Sequence, residues 1–573
     1  MFTSLAKTVN DTKHWSWQLI EPYYQDLFIR RLDGSSQAAW LADWSQLRQV
    51  WYEVYQRLYV AVTVNTSDVE AEQNYTHFLE DIYPAVQAAE QNVKGKLVQS
   101  GLEPAAFQIP LRNLRSEVSL YRQSNLPLLS EELRLGAQYD KIAGAQSVEW
   151  EGQELTIPQL VPVYQDAQRA ARERAWILAA RRQLADRQAI NDLWVKLMDL
   201  RRQIAANAGL ADYRSYRLMQ LLRFDYSPRD CKQFHQALEQ VAVPAALRVY
   251  EKRRERLGLK SLRPWDLEVD PYGRPPLRPF GSIRLLEERC SSIFWQVEPR
   301  FGEYFDQMRS EGLLDLDNRK DKAPGGYCAN FPASREAFVF ANCVGVHDDV
   351  QTILHEGGHA FHAYESLSQP YHWPPYMPME FAEMASMGME LLAAPYLTAD
   401  KGGFYSAKDA ARARVEHLER WLLFWPYMAV VDAFQHWVYE NHDAATDPSN
   451  CDARWGELWK RFMPGVDWDG LEQEMVTGWQ RKSHIPQSPF YYVEYGLAQL
   501  GAVQVWRNAL RHQASAVATY RKALSLGETV TLPELYATAG AKFAFDADTL
   551  QEAVALMEKV ILELEMMLEL ERK

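Results

Sequence analysis

Apolar side chains recur at spacings of three and four residues over long stretches of this 573-residue chain. Residues 157–210 and 550–570 show the pattern among Glu, Gln, Arg and Ala, and this period is typical of amphipathic α-helices. A chain of this length usually forms more than one core. We therefore expect an all-α fold with an N-terminal helical lobe, residues 1–215, and a second helical region, residues 216–573, the two lobes being interleaved.

Two segments interrupt the helical pattern. Residues 259–280 contain five prolines, which fix φ and remove backbone donors, so this segment predicts a junction between sub-domains. Residues 323–346 contain a Pro-Gly-Gly turn and then a β-prone run, Ala337 to Cys343, which predicts a small β element. An exposed edge strand there would pair with an extended peptide, and a plain structural hairpin explains the pattern equally well.

Charge and hydropathy exclude several classes of partner. The net charge is −14 and the pI about 5.5, so we do not expect a basic surface for nucleic acid. The most apolar stretch, Trp421 to Phe434, contains Pro426 and Asp432. It is shorter than the roughly 20 residues of a membrane span, so we expect a buried helix. The opening MFTSLAKTVNDTKHWSW does not resemble a secretory signal, so we expect a cytoplasmic protein without a membrane partner.

The five cysteines are odd in number and widely separated, and no two form a CxxC pair. They are Cys231, Cys290, Cys328, Cys343 and Cys451. This spacing favours ordinary buried thiols in a reducing compartment over a disulfide framework or a thiolate zinc site.

A metal-binding motif lies in the C-terminal region, where His355-Glu356-Gly357-Gly358-His359 matches H-E-x-x-H. Helical residues four apart lie about 40° apart around the axis and about 6 Å along it, so both imidazoles face one point. A catalytic zinc takes three protein ligands and keeps one position open for water. The motif predicts one Zn²⁺ per chain, bound by the two histidines, with Glu356 as the base beside the open position.

The residues around the motif predict a helix that enters the core. Either Asp348 or Asp349 would be the N-cap before Val350, and the run DVQTILHEGGHAFHAY would then form one helix. Gly357 and Gly358 would lie inside that helix at a cost of about 1 kcal/mol each relative to Ala. We therefore expect another part of the chain to approach the helix closely at these glycines.

A third ligand is needed, and two templates compete for it. The template H-E-x-x-H-x-x-G-x-x-H requires Gly and His where this chain has His362 and Glu365, so it fails. In the second template a later helix supplies a glutamate, and Glu383 and Glu390 share one face of an otherwise apolar segment. Buried carboxylates need a cation. We expect Glu383 as the ligand, Glu390 as the acceptor of an imidazole N–H, and Glu380 in solvent.

Several segments together resemble the M3 family of zinc metallopeptidases, most closely its oligoendopeptidase F-like branch, which is related to thimet oligopeptidase and Pz-peptidase. The segments are HEGGHAFHAYES at 355, FAEMASMGME at 381, GGYCANFP at 325, HIPQSPFYYVEYGLAQLGA at 484, YDKIAG at 139, AARERAWILAARR at 170 and FDYSPRDCKQFHQALE at 224. The resemblance covers roughly residues 110–540 and is most specific around the metal motif. It implies an all-helical, two-lobed clamp with zinc at the bottom of a deep channel that admits short unfolded oligopeptides and excludes folded proteins.

The resemblance also implies roles for individual residues. The third ligand of the family is a Glu in an F-x-E-x-x-S-like setting, and Glu383 falls there. The family uses a histidine and tyrosines of a C-terminal segment to hold the tetrahedral intermediate, which implies catalytic roles for His484, Tyr492 and Tyr495. The spacing within PFYYVEY differs from that of the family, so Tyr491 is an alternative to Tyr492 and a candidate substrate-binding residue.

These features predict a zinc metalloendopeptidase that cuts internal bonds of short oligopeptides, its substrate partners. Glu356 would take the proton of the attacking water and pass it to the leaving amine, and Gly325, Gly326 and Tyr327 would contact the substrate. Three alternatives stay open. They are a dipeptidyl carboxypeptidase, which would need a pocket for a terminal carboxylate, a metal-dependent hydrolase of another bond, and a non-catalytic peptide-binding relative, which would be expected to lack at least one site residue. The oligomeric state is not predicted.

Overall fold

The computed structural model describes residues 2–5, 9, 12, 15–369, 371 and 377–570, and helices dominate them. The first helices are α1 (Phe2–Leu5), α2 (Trp17–Ile29), α3 (Gln37–Val64), α4 (Val69–His77), α5 (Tyr83–Ser100), α6 (Gln108–Leu120), α7 (Leu126–Gly144) and α8 (Val161–Tyr164). The next are α9 (Arg169–Ala185), α10 (Arg187–Asn207), α11 (Tyr213–Gln220), α12 (Pro228–Arg256), α13 (Ile283–Val297), α14 (Pro299–Ser310), α15 (His347–Ser366) and α16 (Met379–Ala393). The last are α17 (Ala407–Glu440), α18 (His442–Ala445), α19 (Pro448–Phe462), α20 (Glu472–Val476), α21 (His484–Gln487), α22 (Val493–Leu524), α23 (Leu532–Thr538) and α24 (Ala547–Leu570). The predicted helical fold is confirmed.

Five short strands form two small sheets. Strands β1 (Ser147–Trp150) and β2 (Gln153–Thr156) form an antiparallel hairpin. Strands β3 (Leu314–Asp317), β4 (Tyr327–Phe331) and β5 (Glu336–Cys343) form a sheet in the order β3-β5-β4, with β5 parallel to β3 and antiparallel to β4. The predicted β element next to the motif is therefore confirmed.

The position of β5 corrects one expectation. The run from Ala337 to Cys343 was a candidate for an exposed edge strand, but β5 is the central strand because β3 pairs with its other side. Its backbone groups are engaged on both sides and cannot also pair with a peptide. The hairpin alternative holds for β4 and β5, and within this sheet β4 is the edge nearest in sequence to the Pro-Gly-Gly turn.

The chain divides into two compact units, each built from three separate segments. Unit 1 comprises residues 1–119, 277–413 and 497–543, and unit 2 comprises residues 120–276, 414–496 and 544–573. The boundary between residues 276 and 277 falls inside the proline-rich segment that predicts a junction. Residues 215 and 216 lie together in unit 2, and the division of the chain into an N-terminal lobe and a catalytic region at that point stays a prediction.

In unit 1, α16 is the most enclosed helix, because 13 of its 15 residues are buried. A helix that is apolar on nearly all sides belongs in a core. Two tyrosines from later in the chain hold its backbone. The Tyr520 hydroxyl donates to the Ala385 carbonyl, and the Tyr536 hydroxyl donates to the Glu380 carbonyl over 3.1 Å. Helix α15 packs against α16, and this pair carries the candidate site.

In unit 2, α12 packs along α24, and ion pairs to a buried carboxylate join the two helices. Lys252 and Arg256 of α12 both bind the Glu565 carboxylate of α24. The apolar stretch from Trp421 to Phe434 lies within α17, and Trp425 and Phe434 are fully buried there, which confirms the prediction of a buried helix. Within the described part of the chain, no helix combines the length and the apolar character needed to cross a membrane.

Candidate metal centre

The N-terminus of α15 is held by one carboxylate. The Asp349 side chain accepts hydrogen bonds from the backbone amides of Val344, Gly345 and Val346, over 2.8, 2.8 and 2.9 Å. The helix begins at His347, so neither predicted aspartate is the N-cap. Asp349 instead lies in the first turn, where its negative charge also interacts favourably with the positive end of the helix dipole.

The glycines of the motif allow close packing on two sides, as predicted. A Cβ on Gly358 would lie 2.5 Å from the Ser386 Cα and 2.8 Å from the Ala385 carbonyl oxygen of α16. A Cβ on Gly357 would lie 2.6 Å from the Phe294 ring of α13. Any larger residue at either position would push α15 away from its neighbours, so the glycines set the distance between the two helices that carry the candidate ligands.

The structure brings the three predicted ligands together within unit 1. The donor atoms of His355, His359 and Glu383 all lie within 4.8 Å of one another. The Glu383 Oε2 is 3.5 Å from the Nε2 of His355 and 3.9 Å from the Nε2 of His359. Three donors at 2.0–2.1 Å from a tetrahedral zinc would be about 3.3 Å apart, so small rotations of these side chains suffice to bind an ion.

Glu390 orients the first of the two imidazoles. Its Oε1 is 2.6 Å from the Nδ1 of His355, and a proton on Nδ1 leaves the Nε2 lone pair of the neutral imidazole available to bind a metal. Burial disfavours the charged form of His355, but the carboxylates of Glu383 and Glu390 outweigh burial and raise its pKa well above the usual range. Burial dominates at His359 and lowers its pKa to about 4, which favours the neutral imidazole that a metal requires.

Glu356 is positioned as a buried base beside this group. Its side chain is 8% exposed, and burial raises the pKa of its carboxyl to about 7. The imidazoles of His355 and His359 retain 26% and 21% exposure, so the group is open to solvent. A carboxyl with this pKa can accept and return a proton near neutral pH.

Of the four predicted substrate-binding residues, Gly326 lies just before β4 and close to Glu356. A Cβ on Gly326 would lie 3.9 Å from the Glu356 Oε1 and 3.3 Å from the Thr352 methyl group. Gly325 has a φ of 101°, a backbone conformation that side chains disfavour. Tyr327 stacks on Phe340 with 4.8 Å between ring centroids, so packing accounts for its position and its contact with substrate stays a prediction.

Three other residues near the motif do not join the ligand group. Glu380 is 3% exposed, so the expectation that it lies in solvent is wrong. Its helix is enclosed on all sides, including the face that a surface helix would leave open. His362 packs against Phe381, 5.4 Å between ring centroids, and Glu365 accepts a hydrogen bond from Arg521 over 2.9 Å. These contacts agree with rejection of the template that requires a ligand six residues after His359.

The predicted C-terminal residues form an aromatic cluster within unit 2. The centroid of the His484 ring is 5.1 Å from that of Tyr492, 5.9 Å from Tyr491 and 6.1 Å from Tyr495. Burial and the nearby Lys482 lower the pKa of His484 to about 4, so the imidazole is neutral near neutral pH. Tyr492 is 5% exposed, whereas the side chains of Tyr491 and Tyr495 are partly exposed.

The donor set fits zinc. Two imidazoles and one carboxylate are the ligand types of catalytic zinc sites, and each zinc-bound imidazole in such sites usually donates its other N–H to a carboxylate or carbonyl. Glu390 supplies that acceptor for His355. Glu390 was predicted from its helical spacing. The tyrosines that hold α16, Tyr520 and Tyr536, were not, because no local pattern links residues more than a hundred positions apart.

The chain is similar in sequence to known peptidases. A sequence model of Peptidase family M3 matches residues 163–555. An oligoendopeptidase F homolog of Borreliella burgdorferi is 22% identical over 290 residues, or 50% of this chain and 48% of that protein. The chain therefore spans about half the length of this curated relative.

Two solved structures share the fold over nearly the whole chain. One, described as Pz peptidase A with inhibitor 2, has a TM-score of 0.86 and 28% identity and covers 96% of this chain and 99% of that one. Another, assigned to oligoendopeptidase F, has a TM-score of 0.85 and 27% identity and covers 96% of this chain and 97% of that one.

Proposed function

The chain belongs to peptidase family M3, and from this membership we propose that it is a zinc-dependent endopeptidase that hydrolyses internal bonds of short unfolded oligopeptides. One observation carries the proposal. His355, His359 and Glu383 converge on one point beside the buried Glu356 carboxyl, whose pKa is raised to about 7. The similarity to a Pz peptidase and to an oligoendopeptidase F supports the choice of substrate class.

The residues of the site have different roles in the proposed hydrolysis. His355, His359 and Glu383 would hold one zinc ion per chain, and Glu390 keeps His355 in the tautomer that binds it. Zinc in such a site polarises the substrate carbonyl and lowers the pKa of a coordinated water. Glu356 accepts the proton of the attacking water and donates it to the nitrogen of the leaving amine.

We further propose that the substrate backbone runs beside the start of β4. Gly325 and Gly326 have no side chain, so an extended peptide can approach the backbone there closely. Gly326 lies near Glu356, which would bring the scissile bond to the base. An edge strand such as β4 offers main-chain groups with which a peptide of any sequence can pair.

The family resemblance supports roles for the C-terminal cluster in stabilising the oxyanion. A neutral His484 can donate one N–H, and a tyrosine hydroxyl can donate another. Among the tyrosines, Tyr491 and Tyr495 suit this role better than Tyr492, because Tyr492 is 5% exposed and packs against Phe424 and Tyr427. Loss of one such donor typically reduces kcat about 10²- to 10³-fold.

A mass-spectrometric assay tests the proposal. The zinc-loaded protein and its Glu356→Gln variant are incubated with peptides of graded length, each with a free and an amidated C-terminus. We expect internal cuts that do not depend on the terminus and become slower for longer chains. The variant should bind zinc equally but lose about 10²- to 10⁴-fold in rate. Cleavage only two residues from a free C-terminus would support the dipeptidyl carboxypeptidase alternative, and an active variant would contradict the role of Glu356.

The remaining expectations concern surroundings and partners. Family membership implies peptide substrates, and we propose the cytoplasm as the site of action. A protein that binds peptides without cutting any of them would support the non-catalytic alternative.

A further inference from the structure

A second group of possible metal ligands lies inside unit 2. Helix α12 contributes Cys231 and His235, and helix α17 contributes Asp432 and His436. Each pair is spaced four residues apart, so both members project from one face of their helix. All four side chains are buried, with exposures of 2, 5, 0 and 2% in that order. We call these four residues the α12/α17 cluster.

The donor atoms in this cluster are close enough to share one ion. Donors of Cys231, Asp432 and His436 all lie within 4.8 Å of one another. The Asp432 Oδ2 is 3.4 Å from the Nε2 of His436, close to the spacing of about 3.3 Å between nitrogen and oxygen donors around a tetrahedral zinc. The His235 Nε2 is 2.8 Å from the same Asp432 oxygen, which is a hydrogen-bond distance rather than a ligand spacing.

Two buried polar atoms of the cluster have no hydrogen-bond partner within the described part of the chain. They are the Oδ1 of Asp432 and the Nε2 of His436. Buried polar atoms in native proteins are nearly always paired with protein, water or an ion, because burying them unpaired is unfavourable. Both atoms belong to residues whose donor atoms lie within 4.8 Å of each other. One bound ion would therefore give both residues a partner.

We propose that Cys231, Asp432 and His436 bind a second divalent metal ion of the zinc class, separate from the ligand group of the proposed active site. His235 donates its Nε2–H to one lone pair of Asp432 Oδ2, and the second lone pair of Oδ2 and the unpaired Oδ1 stay available to the ion. A thiolate and a carboxylate together neutralise a divalent charge in this buried setting. Thiolate and imidazole donors select zinc over magnesium or calcium. The site ties α12 to α17 and has a structural role.

A metal-free arrangement competes with this proposal. Asp432 would be an anion between two imidazoles, one of which is protonated to an imidazolium cation. The positive charge of that cation then offsets the free-energy cost of burying the Asp432 carboxylate. The Arg214 guanidinium lies 3.4 Å from the Nδ1 of His436 and also binds Glu440. Both arrangements join the two helices, and they differ in the number of metal ions per chain.

The decisive measurement is the metal content of the zinc-loaded full-length protein. Elemental analysis should find two zinc equivalents in the wild type. Glu383→Ala removes the third ligand of the active site and should leave one equivalent, and so should Cys231→Ser. The double variant should contain none. A wild-type protein with one equivalent whose Glu383→Ala variant contains none would overturn the proposal, as would a Cys231→Ser protein that retains both.

A spectroscopic measurement separates the two sites without relying on activity. Cobalt bound to a thiolate gives a ligand-to-metal charge-transfer band in the near ultraviolet, and a site of two imidazoles and a carboxylate does not. We expect this band in the cobalt-loaded wild type and in Glu383→Ala, and its loss in Cys231→Ser. Cys451→Ser, which alters another buried cysteine of unit 2, is the matched control and should retain the band.

The outcome does not depend on the variants being stable. If Cys231→Ser does not fold, the metal content and the cobalt spectrum of the wild-type protein still test whether the second site exists. Two equivalents with a thiolate band support the site, and one equivalent without the band contradicts it. The proposal is also independent of peptidase activity, because an inactive protein with two bound ions would refute the proposed function and leave this site intact.

Discussion

The Oε1 of Glu390 lies 2.6 Å from the Nδ1 of His355, and both residues belong to neighbouring helices whose spacing is set by Gly358. A proton on Nδ1 leaves the lone pair of Nε2 directed to the same side as Glu383. Glu390 therefore orients the imidazole of His355, although Glu390 is not one of the three converging donor residues.

Replacement of Glu390 should weaken zinc binding without removing a ligand. We expect Glu390→Ala to lower zinc affinity about 10- to 100-fold, because His355 loses the acceptor that fixes its tautomer. Glu390→Gln keeps an acceptor oxygen and should recover part of that loss. Competition with a chromogenic chelator measures both values. Glu380→Gln alters another buried carboxyl of α16, and an equal loss of affinity there would argue against a specific role for Glu390.

The close approach of α15 and α16 makes Gly358 intolerant of even one methyl group. Gly358→Ala gains up to about 1 kcal/mol of helix propensity, but its Cβ would lie 2.5 Å from the Ser386 Cα, and such overpacking typically costs about 1–3 kcal/mol. We expect a net loss of stability in urea unfolding.

The matched control for this substitution is Gly95→Ala. Gly95 lies inside α5, and a Cβ there would meet nothing within 4 Å. We expect Gly95→Ala to raise the free energy of unfolding by up to about 1 kcal/mol. Opposite signs for the two glycines would support the packing argument, and a stabilised Gly358→Ala protein would refute it.

Local patterns were sufficient to predict much of the proposed active site. The pair His355 and His359 follows from a spacing of four residues, and Glu383 and Glu390 follow from two carboxylates on one face of an apolar segment. The glycines of the motif were informative because their cost in a helix implies a close neighbour. Each of these inferences uses residues less than two turns apart on one helix.

Two of the failed expectations depend on distant parts of the chain. Glu380 is buried where α23, more than a hundred positions later, packs against α16, and Tyr536 of α23 donates to its backbone carbonyl. The run from Ala337 to Cys343 is a central strand because β3, at 314–317, pairs with it. The sequence of β3, LDLD, is only four residues long, and its two aspartates disfavour a strand. The α12/α17 cluster could not be predicted from local sequence patterns either, because its two halves are separated by about two hundred residues.

The carboxylate at the start of α15 should contribute measurably to stability. Asp349→Ala would leave the amides of Val344, Gly345 and Val346 without their acceptor, and we expect a loss of about 1–3 kcal/mol in urea unfolding. Asp348→Ala changes an exposed neighbour and should stay within about 0.5 kcal/mol of the wild type. Equal effects of the two substitutions would show that general charge at the helix end, rather than the three hydrogen bonds, is responsible.

Lys482 makes the stability of unit 2 depend on pH in the alkaline range. Its ammonium group lies 4.2 Å from the centroid of the Tyr492 ring and 5.7 Å from that of Tyr427, and burial lowers its pKa to about 8. Because this pKa is below that of the unfolded chain, the folded state is penalised while the lysine is charged. The penalty is complete below pH 8 and disappears as the pH rises from about 8 toward the unfolded pKa.

Substitution of Lys482 should therefore have an effect that changes with pH. We expect Lys482→Met to stabilise the protein relative to the wild type below pH 8, and this advantage should shrink as the pH rises, because the wild-type lysine then becomes neutral as well. Urea unfolding on both sides of pH 8 measures the difference, with Lys559→Met, an exposed lysine, as the control. If the difference between wild type and Lys482→Met were constant across this range, the ammonium group would not be desolvated in solution.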